Sequence, residues 1–210
     1  DPEVRAVLED LAGRLRAAGV EVRPISAPAP LDQLMDAYRV LLGSLVATDM
    51  PPKAQHAMRR MRGPAALALA LGAGRDSWAG LTRAYTASHA EWIAADEVRA
   101  RLRSTMSGAF DAILAPVAPT VAFPHDHKPF AGRKLKTSDG GIIPYPAMLN
   151  WIALATACHL PVTTIPAGLA ASGLPVGAQI IGPHGADSRT LSIAQAIDEA
   201  LGGYVAPPPG

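Results

Sequence analysis

Two short apolar runs near the end of the chain, residues 162–165 and 176–181, flank a stretch carrying Gly168 and Gly173. Runs this short, rich in Val and Ile and bounded by glycine, read as buried strands joined by a reversal, so a hairpin is expected. Asp187 or Ser188 then stands where a helix cap belongs, and Leu191, Ala194, Ile197 and Leu201 recur at helical spacing before Gly202 and Gly203 stop the helix. A hairpin followed by an amphipathic helix must bury a sheet face under that helix. The pattern therefore specifies an α/β chain.

The opening residues have the same grammar. Asp1 is placed as a cap, Pro2 as the first helical residue and Glu3 as an acid of the first turn. Val4, Val7, Leu8, Leu11 and Leu15 form one stripe, Gly19 ends the helix, and Val20, Val22 and Ile25 alternate as a short strand. A helix that precedes any strand has no sheet laid down before it, so the segment is expected to be cut from a longer α/β protein. Residues 31–108 read as mostly helical. Leu34, Met35, Tyr38, Leu41, Leu42 and Leu45 form one stripe, shorter pieces carrying Met58, Met61, Leu67, Leu69 and Leu71 are broken at Gly63-Pro64 and Gly72-Ala-Gly74, and Leu81, Tyr85, His89, Trp92, Ile93 and Val98 lie along a helix ending near Gly108. These Met and aromatic residues are expected as core filler.

Residues 110–115 form a buried strand end closed by Pro116. Residues 116–146 hold Pro116, Pro119, Pro124, Pro129, Pro144 and Pro146 with little periodicity, a length typical of functional or disordered loops. Helix returns at 147–157 with Met148, Trp151, Ile152 and Ala155 on one side, and Pro207 to Pro209 make a stiff tail. Hydrophobic residues at 49% against 18% charged predict a packed core rather than disorder. A net charge of +1 gives no reason to expect nucleic acid as a partner. The most apolar run, residues 64–71, is too short to span a bilayer, so no membrane partner is expected. A single cysteine, Cys158, excludes an internal disulfide and a cysteine-rich zinc site, and a cytoplasmic location is the simplest reading.

Familiar catalytic signals are absent from the sequence. The Gly-x-Ser-x-Gly elbow does not occur, nor does a Gly-Gly-Ser-Ser segment, and Ser44, Ser77, Ser107 and Ser172 read as ordinary caps or surface hydroxyls. His125-Asp126-His127 is the best metal candidate, but in an extended segment its two imidazoles converge only if the loop bends, and spacing marks no third ligand. A solvated loop is the expected reading. Cys158-His159 are sequence neighbours, unlike a catalytic Cys–His pair, so Cys158 is expected as a small apolar residue. No glycine pattern fits a phosphate-binding loop. No metal, cofactor or catalytic residue is expected within these residues.

Four ordered blocks carry a resemblance. They are the opening helix with Gly19-Val-Glu-Val22, Phe110-Asp-Ala-Ile-Leu-Ala-Pro116, Leu160-Pro-Val-Thr-Thr-Ile-Pro-Ala-Gly168, and Gly173-Leu-Pro-Val-Gly-Ala-Gln-Ile-Ile-Gly-Pro183. Together with the Asp187 helix they resemble the C-terminal portion of the amidase-signature amidohydrolases. The resemblance implies that residues 1–210 are a single segment of one domain, contributing part of a large mixed, twisted sheet flanked by helices. It implies hydrolysis of a carboxylic amide to acid plus ammonia or amine through an acyl-enzyme. The family's Ser–Ser–Lys machinery lies in the other half, so the expected partners are a small amide substrate and the missing N-terminal half, and the segment alone is expected to be inactive.

Many family members carry Asn-x-x-Gly before the Leu-Pro block, where this chain reads Thr156 and His159. The residues expected to line the substrate pocket are Tyr145, Met148 and Trp151, with plain packing of a helix on the sheet as the other reading. A competing function is a non-catalytic binding or assembly module that keeps part of the fold.

Overall fold

A computed structural model of the chain describes residues 1–26, 30–106, 110–128, 130–204 and 206. The first helix, α1 (Pro2–Ala17), starts as its sequence dictates: the Asp1 carboxylate accepts from the Glu3 N–H at 3.0 Å, and Pro2 occupies the first turn. It ends in a Schellman arrangement. Gly19 takes φ 87°, its N–H bonds Arg16 O, and the Val20 N–H reaches back to Leu15 O. Val4, Val7, Leu11 and Leu15 are buried on one side. The expected strand after it does not form. Residues 20–25 are irregular, with Val20 and Ile25 exposed, because no described strand lies alongside to pair with them.

Four helices follow: α2 (Leu31–Thr48), α3 (Pro52–Ala70), α4 (Trp78–Tyr85) and α5 (His89–Thr105). Two boundaries differ from the sequence reading. Helix α3 runs through Gly63-Pro64 unbroken, since Pro64 sits on the exposed side, where the backbone carbonyl it frees is open to water. The helix expected across residues 81–98 is instead two, parted at Thr86–Ser88, because Ser88 and Glu91 form a reciprocal capping box that starts α5 afresh. Leu45, Met61, Leu67, Leu71, Trp92 and Ile93, expected in the core, are exposed. The inward positions at these turns belong to smaller residues, among them Ala37, Gly43, Ala65 and Ala95. The expected helix end at Gly108, Ser107 and Pro129, and the tail Pro207 to Pro209, lie outside the described residues.

Strand β1 (Ile113–Pro116) comes next, and the long connection after it is not structureless. It holds a small hairpin, β2 (Lys134–Lys136) with β3 (Ile142–Pro144), preceded by the single turn Phe130–Gly132. The hairpin turns at Asp139-Gly140, with Gly140 at φ 85°; the Thr137 N–H donates to Gly141 O and the Gly140 N–H donates to Thr137 O. A 3-10 segment, Tyr145–Leu149, and the short helix α6 (Ala153–Cys158) lead into β4 (Val162–Leu169) and β5 (Pro175–Ile181). These two strands form the expected antiparallel hairpin, closed by Gly173 at φ 79°. The last helix, α7 (Asp187–Leu201), is capped by neither expected side chain: Ala186 is the cap residue and Asp187 already lies in the first turn. Its buried side is led by Thr190, with Ile193, Ala194, Ile197 and Leu201, while Leu191 faces solvent.

The main sheet has the order β1-β5-β4, antiparallel throughout. Alternation along the strands divides the core in two. Ile165, Ala167, Val176, Ala178, Ile180 and Leu114 meet α1 and α7 on one face. Ile113, Ala115 and Ile181 meet Leu34, Tyr38, Leu102 and the α6 residues Leu154, Ala157 and Cys158 on the other. This is the mixed α/β architecture the sequence predicts.

Candidate functional site

The second sheet face is covered only in part. Helix α6 lies over its Ile181 end, whereas on β4 the side chains of Val162, Thr164 and Pro166, which point the same way, are exposed. Register sets Gln179 on this face between Ala115 of β1 and Thr164 of β4. Beside it Gly177 lies beneath two side chains: a Cβ there would meet Val117 Cγ2 at 3.4 Å and Thr164 Cγ2 at 3.5 Å, ordinary contact distances. The segment expected to line a pocket borders this open half of the sheet through Trp151, whose carbonyl accepts from Gln179 Nε2 at 2.8 Å.

Tyr145, Met148 and Trp151 are carried by one short stretch between β3 and α6, but they do not share one environment. The Tyr145 ring packs edge-on against Phe130 (5.3 Å between centroids) and Phe123 (5.9 Å), and the Arg133 guanidinium stands 5.3 Å from its centre. Its backbone N–H bonds Arg133 O, so it is bound to the β2–β3 hairpin. Met148 is half-buried in the 3-10 segment, and Trp151 is 45% exposed. One groove on the surface lies between α1 and the end of β4, another among α3, α4 and α5, and neither includes any of the three. The aromatic group around Tyr145 was missed in the sequence. Asp139-Gly140 between Leu135 and Ile142-Ile143 is a hairpin signal, and pairing about that turn brings Arg133 and Tyr145 together at the open end of the hairpin.

Gln179 was likewise not singled out. It is 3% exposed, and its Nε2 donates to Pro116 O at 2.7 Å as well as to Trp151 O. A buried amide whose two hydrogens are both used fixes two backbone segments to β5. A polar residue within the apolar run Val-Gly-Ala-Gln-Ile-Ile was the available signal.

The remaining sequence candidates fall in ordinary settings. Cys158 is fully buried in α6, and burial pushes its thiol up from the usual range, as suits a small apolar residue. His159 follows it at φ 54°, the one non-glycine residue with positive φ among those described. Burial, then the charges of Arg99 and Arg103, holds its imidazole below the usual histidine range. His125 and His127 do approach, their ring centroids 6.4 Å apart, while Asp126 turns to the Lys128 backbone N–H at 3.0 Å. No group of three metal-binding side chains forms among the described residues. Ser77 caps α4, Ser172 donates to Glu3 Oε2 at 2.6 Å, and the Ser44 hydroxyl is buried with no partner among the described residues, unlike the surface role expected of it.

Comparison with known proteins places this geometry. The family model Amidase matches residues 1–191. A glutamyl-tRNA(Gln) amidotransferase polypeptide from Acidobacterium capsulatum is 30% identical across 94% of the chain and 42% of its own length. A crystal structure of an amidase superposes on 96% of the chain and 42% of its own, with TM-score 0.65 and 22% identity. A 6-aminohexanoate cyclic dimer hydrolase shares the fold over the same fractions, with TM-score 0.64 and 19% identity. The chain thus spans less than half the length of these relatives. With a family match over nearly its whole length, two apolar strands in the expected hairpin and helices on both sheet faces, the chain belongs to the amidase-signature family.

Proposed function

We propose that the chain is the C-terminal portion of an amidohydrolase that converts a small carboxylic amide to the acid and ammonia or an amine through an acyl-enzyme. The observation that carries this reading is the family match over residues 1–191. In this reading residues 1–210 are one segment of a single domain. They supply sheet core and one wall of the substrate cavity, and a preceding half of the same enzyme supplies the nucleophile. The open part of the sheet, with Val162, Thr164 and Pro166 exposed on β4 and Trp151 at its border, is the surface such a cavity would use. Of the three residues expected to line it, Trp151 borders this surface and is the most exposed to a ligand, while Tyr145 and Met148 belong to the stretch that leads up to it. The lone cysteine suits a reducing compartment, and on that ground we assign the enzyme to the cytoplasm. No described helix is long and apolar enough to cross a membrane.

A fluorophosphonate, which labels activated serines, tests the division of labour. Intact mass of the chain incubated alone is expected to show no adduct, with labelling appearing once the N-terminal half is supplied. A single stoichiometric adduct on the chain alone would overturn the reading. No adduct with either preparation would favour the non-catalytic module. For the pocket, Trp151→Phe in the full-length enzyme is expected to change the ratio of kcat/KM between an aryl and a small aliphatic amide, and an unchanged ratio removes Trp151 from the wall.

A further inference from the structure

We propose that Gln179 is a positioning residue for substrate selection, acting through the backbone of Trp151. The inference rests on the reading of Trp151 as part of the cavity wall. Every neighbour of Gln179 along β5 from Ala178 to Ile181 is a buried apolar residue, and a buried carboxamide in such a strand is costly unless its polar atoms are used. Here the two N–H bonds of Nε2 go to Pro116 O at 2.7 Å and Trp151 O at 2.8 Å, from the middle strand of the sheet. These carbonyls belong to the two segments that frame the open face. Pro116 ends β1 and directs Val117 over Gly177, and Trp151 stands just before α6. One rigid side chain therefore sets the spacing between the exit of β1 and the Trp151 turn.

The residue type is specific to this task. Leucine fills the volume but takes away both donors. Glutamate has the same shape, yet as a carboxylate it sets oxygen against two carbonyl oxygens. Asparagine keeps the donors on a stem one methylene shorter and cannot reach both carbonyls at once. The wall around Trp151 is thus held at a distance that only the glutamine amide fits, and the size of the substrate group admitted beside it follows from that distance.

The test uses Gln179→Glu and Gln179→Asn in the full-length enzyme, with two anilides that share a leaving group but carry an acetyl or a benzoyl acyl part. The expected result is KM for the benzoyl substrate raised about tenfold, kcat within about threefold, and a changed ratio of kcat/KM between the two substrates. Gln179→Asn is expected to show a smaller shift in the same direction. Equal losses on both substrates, or a fall in kcat with KM unchanged, would make Gln179 a purely structural residue and overturn the proposal. If Gln179→Glu does not fold, Gln179→Asn decides, together with amide hydrogen exchange of residues 150–154, which should quicken in the folded variant. Trp151→Phe separates the two readings. An unchanged ratio there defeats the cavity assignment itself, whereas a changed ratio with unshifted Gln179 variants defeats only the positioning role.

Discussion

His159 shows how much a single backbone angle weighs. It closes α6 in the left-handed region, at φ 54° and ψ 45°, so that the Leu160 N–H can turn back to Ala155 O at 2.9 Å. A Cβ in that region meets the following carbonyl, at a cost on the order of 1 kcal/mol, and glycine avoids it. Histidine rather than glycine at such an angle is held against its local preference by its surroundings. The ring stands 3.5 Å from Arg99 Nη1, and its depressed protonation leaves a nitrogen free to accept from that guanidinium. Replacing His159 by glycine relieves the strain but loosens the unfolded chain. The net expectation is a gain of a few tenths to about 1 kcal/mol in the denaturant midpoint analysis. A loss of stability would mean that the Arg99 contact outweighs the strain. The sequence shows only a histidine before Leu160-Pro161, and the folded backbone alone shows that the position takes positive φ.

At the scale of elements, the junction between α4 and α5 is built on Glu91. Its carboxylate accepts from the Ser88 N–H and hydroxyl, both at 2.7 Å, and from Arg62 Nη2 at 2.6 Å, while Arg62 also donates to Thr86 O. The Ser88 backbone bond first, and then the Arg62 pairing and the Ser88 hydroxyl, bring the Glu91 carboxyl down to about 2 from 4.5. Because the folded value lies below the unfolded one, the stability it contributes is fully present above pH 4.5 and is lost as pH falls through 2. Both partners are partly exposed, so solvent screening reduces that contribution to about 1 kcal/mol. Urea melts at pH 6 and pH 3 should show a smaller loss on acidification for Glu91→Gln than for the parent, and equal losses would remove Glu91 from the acid response. A second expectation concerns α2. A Cβ on Gly43 would stand 2.8 Å from the Ala84 backbone carbon, so Gly43→Ala should destabilise the crossing of α2 and α4 by roughly 1–3 kcal/mol in the same assay.

For the whole molecule, the sheet is the feature with consequences. Its three strands are covered by α1 and α7 on one face, but among the described residues β1 and β4 pair only on their inner sides. Unpaired strand edges are templates for further pairing. Under the proposed reading the remainder of the enzyme extends the sheet, so the chain alone should associate with itself. Sedimentation velocity is expected to show a mass that rises with concentration and falls back to a defined complex when the N-terminal half is added. A chain that stays monomeric at every concentration would mean that its own loops shield the edges.

What the sequence by itself determined is local. The Asp1-Pro2-Glu3 start and Gly19 stop of α1, the β4–β5 hairpin with its glycine turn, and the apolar run of β1 ending at Pro116 follow from caps, turn chemistry and hydrophobic pattern, which act within a few residues. Tertiary structure decided the rest. The strand expected at residues 20–25 needs a neighbour to pair with and finds none, α3 tolerates Pro64 because that side faces water, and Leu45 and Leu191 face out because Gly43 and Thr190 hold the inward positions. Gln179 is the sharpest case, since its meaning lies in two carbonyls contributed 63 and 28 residues away. Periodicity records which residues avoid water. It does not record which distant backbone groups a buried polar side chain will meet, because chain folding alone brings those together.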